Sequence, residues 1–146
     1  LLAELWMDVV EGFQRGFVTG LAGAHDVDGA VDAARYMVSW TREHALEARL
    51  LLLHHRQDFV SGEWPPELAD RAAALEPQLG AALRDFALRA FGRADADTMT
   101  RLRYALLDGP FGAIKPYVQG RKRLPPLVDD LVATTVRAVL GAIARR

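Results

Sequence analysis

Apolar positions along this chain recur at helical spacing, and no stretch alternates as a strand would. Leu1, Leu2, Leu5, Val9 and Phe13 follow that spacing from the outset, so the sequence begins inside a helix, expected to run to about Thr19. Gly20, Gly23 and a polar AHDVDG stretch close it. Asp26 or Asp28 can cap a second helix, whose buried face takes Val31, Ala34, Met37, Val38 and Trp40. A break near Glu43 and His44 leads into a third, Ala45 to about Phe59. Ser61-Gly62 and Pro65-Pro66 stop that helix, and the prolines suit the start of a fourth, Glu67 to Phe91. Pro77 removes a backbone donor inside it and predicts a kink or a split. A fifth helix runs from about Asp97 to Gln119. Pro110 cannot donate to the carbonyl of Leu106, nor Pro116 to that of Gly112, so this helix should kink. The kink puts Phe111, Ile114 and Tyr117 on a different line from Leu102 and Leu106. The sixth runs from Pro126 to Ala144. The pattern predicts one all-α domain spanning residues 1–146.

The sixth helix is the most informative. Polar residues fall on a narrow stripe, while Val128, Leu131, Val132, Val136, Val139, Leu140 and Ile143 cover most of its circumference. A helix so apolar must be buried from two sides. One side is the domain's own core, and the other is read as a second subunit. The fifth and sixth helices are therefore expected to form a dimerisation hairpin. Its contacts would come from Leu106, Phe111, Ile114, Tyr117, Val128, Leu131, Val132, Thr135, Val136, Val139, Leu140 and Ile143. A charge at Val132 or Val139 is expected to break such a pairing.

Composition narrows the class. The chain has 146 residues, 25% of them charged, with a formal net charge of −1 and no cysteine. That balance disfavours a nucleic-acid-binding module, and the missing thiols exclude disulfides and thiolate metal sites. No apolar run approaches a membrane span, and no signal peptide is recognisable. The expected compartment is the cytoplasm, with no membrane contact.

Little in the chain points to catalysis, and neither a catalytic residue nor a cofactor is assigned. His54 and His55 are adjacent and point about 100° apart on a helix. His54 and Asp58 could share a face, but two ligands are too few for a metal site. His44 sits at a helix junction, where capping carbonyls is the simpler role and a ligand contact the alternative. Ser39 and Ser61 lie outside any nucleophile elbow, and Gly109-Pro-Phe-Gly112 is no phosphate-binding loop. Asp129-Asp130 complement the dipole at the start of the last helix. Arg121-Lys122-Arg123 reads first as a solvated basic turn, with a phosphate contact as the alternative. Aromatics recur on most helices, and such a domain can enclose an apolar ligand pocket. The pocket candidates are Phe13, Phe17, Tyr36, Trp40, His44, Phe86 and Tyr104.

Several stretches together resemble the C-terminal regulatory domain of TetR-family transcriptional regulators. They are Trp40 to Arg56 (WTREHALEARLLLLHHR), Gly62 to Leu68 (GEWPPEL), Ala105 to Tyr117 (ALLDGPFGAIKPY) and Leu124 to Gly141 (LPPLVDDLVATTVRAVLG). The resemblance is one of pattern and helix order over nearly the whole chain. It implies a six-helix domain in which the first four helices bind a small hydrophobic effector. The last two would pair with a second subunit as a dimeric four-helix bundle. It also implies a homodimeric ligand-responsive regulator, a repressor by default. Operator DNA would be bound through an N-terminal helix-turn-helix domain outside this sequence. Asp8, Glu11 and Arg15 are expected on the exposed side of the first helix. The alternatives are a stand-alone dimeric helical binding protein that never touches DNA, and a helical enzyme, with or without a metal.

Overall fold

The computed structural model describes residues 2–53 and 65–145, which are helical throughout their ordered elements and include no strand. The helices are α1 (Leu2–Ala22), α2 (Val27–Glu43), α3 (Ala45–Leu53), α4 (Pro66–Phe91), α5 (Ala96–Arg103), α6 (Gly109–Gln119) and α7 (Pro126–Ala144). A π-helical turn, Tyr104–Asp108, joins α5 to α6 without a break. Counted as one run, α5, the turn and α6 make the fifth of the six helices read from the pattern. The Phe59 end of the third helix, the Ser61-Gly62 stop, and His54, His55 and Asp58 lie outside the described residues.

Local chemistry accounts for most boundaries. Asp26 is the residue that caps α2, accepting from the Gly29 N–H at 2.8 Å. Pro66 and Pro126 open α4 and α7, where a missing N–H costs nothing. Gly92 closes α4 in the left-handed region, φ 71°. α4 runs through Pro77 as one helix, so of the expected kink or split the split does not occur. Proline removes a single helical hydrogen bond, and α1 lies along α4 to hold it. Gln14 of α1 also donates from Nε2 to the Leu75 carbonyl at 2.8 Å.

The expected kink in the fifth helix takes the form of the π turn. The Gly109 N–H bonds the Tyr104 carbonyl five residues back, just where Pro110 has no donor to offer.

α2 is the central element, packed by α1 on one side and α7 on the other, with α6 and the π turn also against it. Its alanines at 30, 33 and 34 are buried, and small side chains let the neighbours approach closely. The core runs from Phe17, Leu21 and Met37 through Leu83 and Phe86 to Leu102, Leu106, Ile114 and Leu140. α7 turns Val128, Val132, Val136, Leu140 and Ile143 inward onto this core.

Arginines tie the helix ends together. Arg89 donates to the carbonyls of Leu21 (2.9 Å) and Ala24 (3.2 Å) at the end of α1. Arg93 does the same for Ile143 of α7 at 2.9 Å. Both place a cation where helix carbonyls and the negative dipole end favour one. Arg71 of α4 bridges Asp8 (2.7 Å) and Glu11 of α1, and these two carboxylates hold its pKa above the ordinary arginine value.

Candidate functional site

The structure brings together some of the aromatic pocket candidates and scatters others. Phe13 stands at the centre of one group. Its ring meets Trp40 edge-on at 5.1 Å between centroids, Tyr36 at 5.7 Å and Phe111 at 6.0 Å. These rings contact one another between α1, α2 and α6, and offset or edge contacts of this kind are favourable. Trp40 also stacks on His44 at 5.1 Å. The His44 backbone N–H bonds the Trp40 carbonyl at 2.8 Å, and Nδ1 lies 3.0 Å from the same oxygen. His44 thus caps α2. Phe17 and Phe86 are fully buried, but Phe86 packs edge-on against Phe91, away from Phe13. Tyr104 is 51% exposed, on the surface of the π turn. None of the three clefts described below is lined by any of these candidates.

The expected interface residues also divide. Leu106, Ile114, Val128, Val132, Val136, Leu140 and Ile143 are buried in the chain's own core. Phe111, Tyr117, Thr135 and Val139 are partly covered. Leu131 is 49% exposed. The second apolar side of α7 is therefore a narrower stripe than the sequence suggested. Leu127, Leu131, Thr134 and Ala138 succeed one another on it at intervals of three or four residues, all exposed and uncharged. Thr135 and Tyr104 lie beside it, both within reach of Gly109.

A concave surface lies elsewhere. A cleft of about 370 Å³ opens between the end of α2, the first turn of α3, the end of α6 and the loop leading to α7. Ala45, Leu46, Tyr117, Val118 and Leu124 make its apolar walls, and Leu46 is 78% exposed. Arg42, Arg49, Arg121, Lys122 and Arg123 also line it, and among the described residues no carboxylate does. Two shallower surfaces accompany it. One surrounds Asp129, and the other is a groove between α1 and α4 lined by Glu11, Gln14, Leu75 and Asp85.

One of the five cations is committed. Arg42 holds Asp129 bidentately, Nη1 to Oδ1 at 3.0 Å and Nη2 to Oδ2 at 2.5 Å. Nη2 also donates to the carbonyls of Leu124 (3.2 Å) and Pro125 (3.1 Å). Hydrogen bonding to Asp129 raises the Arg42 pKa, and the same bond holds the Asp129 carboxyl below its ordinary value. This strut fastens the loop before α7 to the end of α2. The pairing of Asp129 was missed in the sequence, where the helix dipole sufficed to explain it. The 45, 46, 49 spacing was a usable signal for the cleft's α3 wall, since it follows one helix face, while Arg42 comes from the end of α2.

Among the described residues no three His, Asp or Glu side chains converge on a metal-sized site. None of the described helices is long and apolar enough to cross a membrane. No family model, no curated protein and no solved structure matches this chain.

Proposed function

We propose that this chain is the sensing and dimerisation domain of a ligand-responsive transcriptional regulator of the TetR type. In this reading two copies pair through α6 and α7, and operator DNA is bound by a helix-turn-helix domain outside this sequence. The observation that carries it is the outer face of α7. Leu127 and Leu131 are exposed at 58% and 49%, with Thr134 and Ala138 continuing the stripe and no charge interrupting it. The opposite face of the same helix is fully used by the core. A twofold pairing sets such a stripe against itself. A standard interface of about 800 Å² per partner is about a tenth of this chain's 8245 Å² surface.

The same reading includes a two-state switch. A ligand that prefers one packing of α1 against its neighbours changes the spacing of two DNA-reading heads. Its effect on DNA affinity is bounded by that preference. Sedimentation equilibrium across a wide concentration range tests the pairing, and a dimer mass is expected. A monomer at every concentration refutes it. The regulator half is tested by mobility shift with the full-length protein and the DNA upstream of its own gene. Failure to retard that DNA, with the dimer intact, leaves a binding protein that does not act on DNA.

A further inference from the structure

We propose that the basic cleft between α2, α3, α6 and the α6–α7 loop binds a small amphipathic anion, a phosphate or carboxylate head carrying a short apolar tail. This inference does not rest on the regulator reading.

Among the described residues the charge is unbalanced. Of the five cations lining the cleft, Arg42 is neutralised by Asp129, and the other four have no ion pair among the described residues. The Arg49 Nε is buried with no hydrogen-bond partner among them. A buried donor in that state awaits an acceptor. Cations that follow a helix C-terminus can answer its dipole, as Arg89 and Arg93 do. That account does not explain a concavity of ligand size or the exposed Leu46 at its mouth.

Arg121 supplies an independent observation. α6 ends in a closing motif in which the Arg121 N–H bonds the Val118 carbonyl at 3.2 Å and the Lys122 N–H bonds that of Tyr117 at 2.8 Å. The left-handed residue of this motif is ordinarily glycine. Here it is Arg121, φ 54°, the one non-glycine residue at positive φ among those described. Gly120, one position earlier, has φ −83° and no need of its freedom. A strained backbone thus carries a cation on the wall of the cleft, the kind of outlier that points to a functional demand.

The walls choose the ligand. Leu46, Tyr117 and Val118 give an apolar lining that a bare inorganic ion leaves uncovered, while the rim of cations favours an anionic head over a neutral one. The concave form favours a small molecule over the flat backbone of a duplex.

Isothermal titration of the chain with octyl phosphate, octanoate, inorganic phosphate and octyl glucoside tests this. At least one of the two charged octyl compounds should bind tenfold or more tightly than both inorganic phosphate and octyl glucoside, and the tighter one identifies the head group. Arg121→Gly should raise Tm by about 3 °C through relief of the left-handed strain. It should also weaken binding by about tenfold through the lost charged contact. Leu46→Ser should bring the octyl ligand down towards inorganic phosphate without moving Tm. The same constants are expected in a Leu131→Asp chain, which separates this result from any outcome on dimerisation. The proposal is overturned if neither charged octyl compound outbinds inorganic phosphate, or if Arg121→Gly raises Tm and leaves affinity unchanged. It is also overturned if a short DNA duplex binds this cleft and the octyl anions do not.

Discussion

Replacing Arg42 by methionine removes the strut that joins α2 to the start of α7 while keeping most of the side chain's apolar stem. The pair with Asp129 is bidentate, but the two side chains are 35% and 27% exposed, so solvent screens much of the attraction. Such a pair contributes about 1 kcal/mol, the upper end for exposed ion pairs. The bonds to the Leu124 and Pro125 carbonyls add about 1 kcal/mol together after the same discount. The expected loss is about 2 kcal/mol, or a fall in Tm of about 6 °C for a chain of this size. Urea denaturation with Asp129→Asn and the double variant should give a coupling of about 1 kcal/mol. Acid should remove that share. The Asp129 carboxyl lies below its ordinary 3.8 in the folded chain, so its contribution is fully present above that value. It fades as pH falls through the lowered pKa, so the gap between wild type and Arg42→Met should narrow below about pH 4 and stay flat from there to neutrality. A loss under about 0.5 kcal/mol at pH 7, within the range of ordinary surface changes, refutes the strut. A gap that acid leaves unchanged refutes the role given to Asp129.

Other substitutions probe the packing. Gly16 sits beneath Tyr36, where an added Cβ would lie 2.0 Å from the tyrosine oxygen and 2.5 Å from its ring. Because that ring also packs on Phe13, Gly16→Ala should cost about 1–2 kcal/mol by urea denaturation despite the better helix propensity. Gly12→Ala on the same helix meets nothing within 4 Å and should instead gain about 0.5–1 kcal/mol. Gly92→Ala forces a side chain to φ 71° and should lower stability by about 1 kcal/mol, a change readable as a Tm shift. Phe17→Ala empties a fully buried site and should cost about 3–5 kcal/mol, enough to abolish a cooperative melt in a marginal chain.

The helices were legible because their signals are local. Asp26, Pro66, Gly92 and Pro126 each act within a few residues of where they stand. Pro77 marked a missing donor, but whether the helix splits there depends on α1, which no window around residue 77 contains, and α4 stays one helix. Pro110 announced a disturbance but not its form, since a kink and a π turn both solve a missing donor. The aromatic positions on α1 and α2 were correctly read as inward. How closely the helices carrying those rings approach is not written in their periodicity, and here Gly16 lies against Tyr36 while the alanines of α2 are buried. The basic cleft was hardest to foresee. Its walls come from residues 42–49 and 117–124, and Arg42 and Asp129 stand 87 positions apart. Periodicity along one helix carries no information about which loop will lie across its end.

Pairing through α7 needs a variant that separates assembly from folding, and burial decides which one. Val132 is 2% exposed within a single chain. Aspartate there would bury an unpaired charge in the protomer's own core and unfold it, so loss of a dimer would say nothing about the interface. Val139 is partly covered and suffers the same ambiguity in smaller measure. Leu131, the next residue round the helix, is 49% exposed and sits at the middle of the stripe. Leu131→Asp should leave the isolated fold within about 0.5 kcal/mol of wild type, as a surface change does. Against a symmetric copy it places two like charges together in an apolar contact, at a cost of several kcal/mol. Light scattering after gel filtration should therefore give the monomer mass, with unchanged helicity by circular dichroism. A dimer that survives Leu131→Asp moves the interface off this face of α7. A chain that unfolds instead shows that Leu131 belongs to the core, and the stripe is then not a free surface at all.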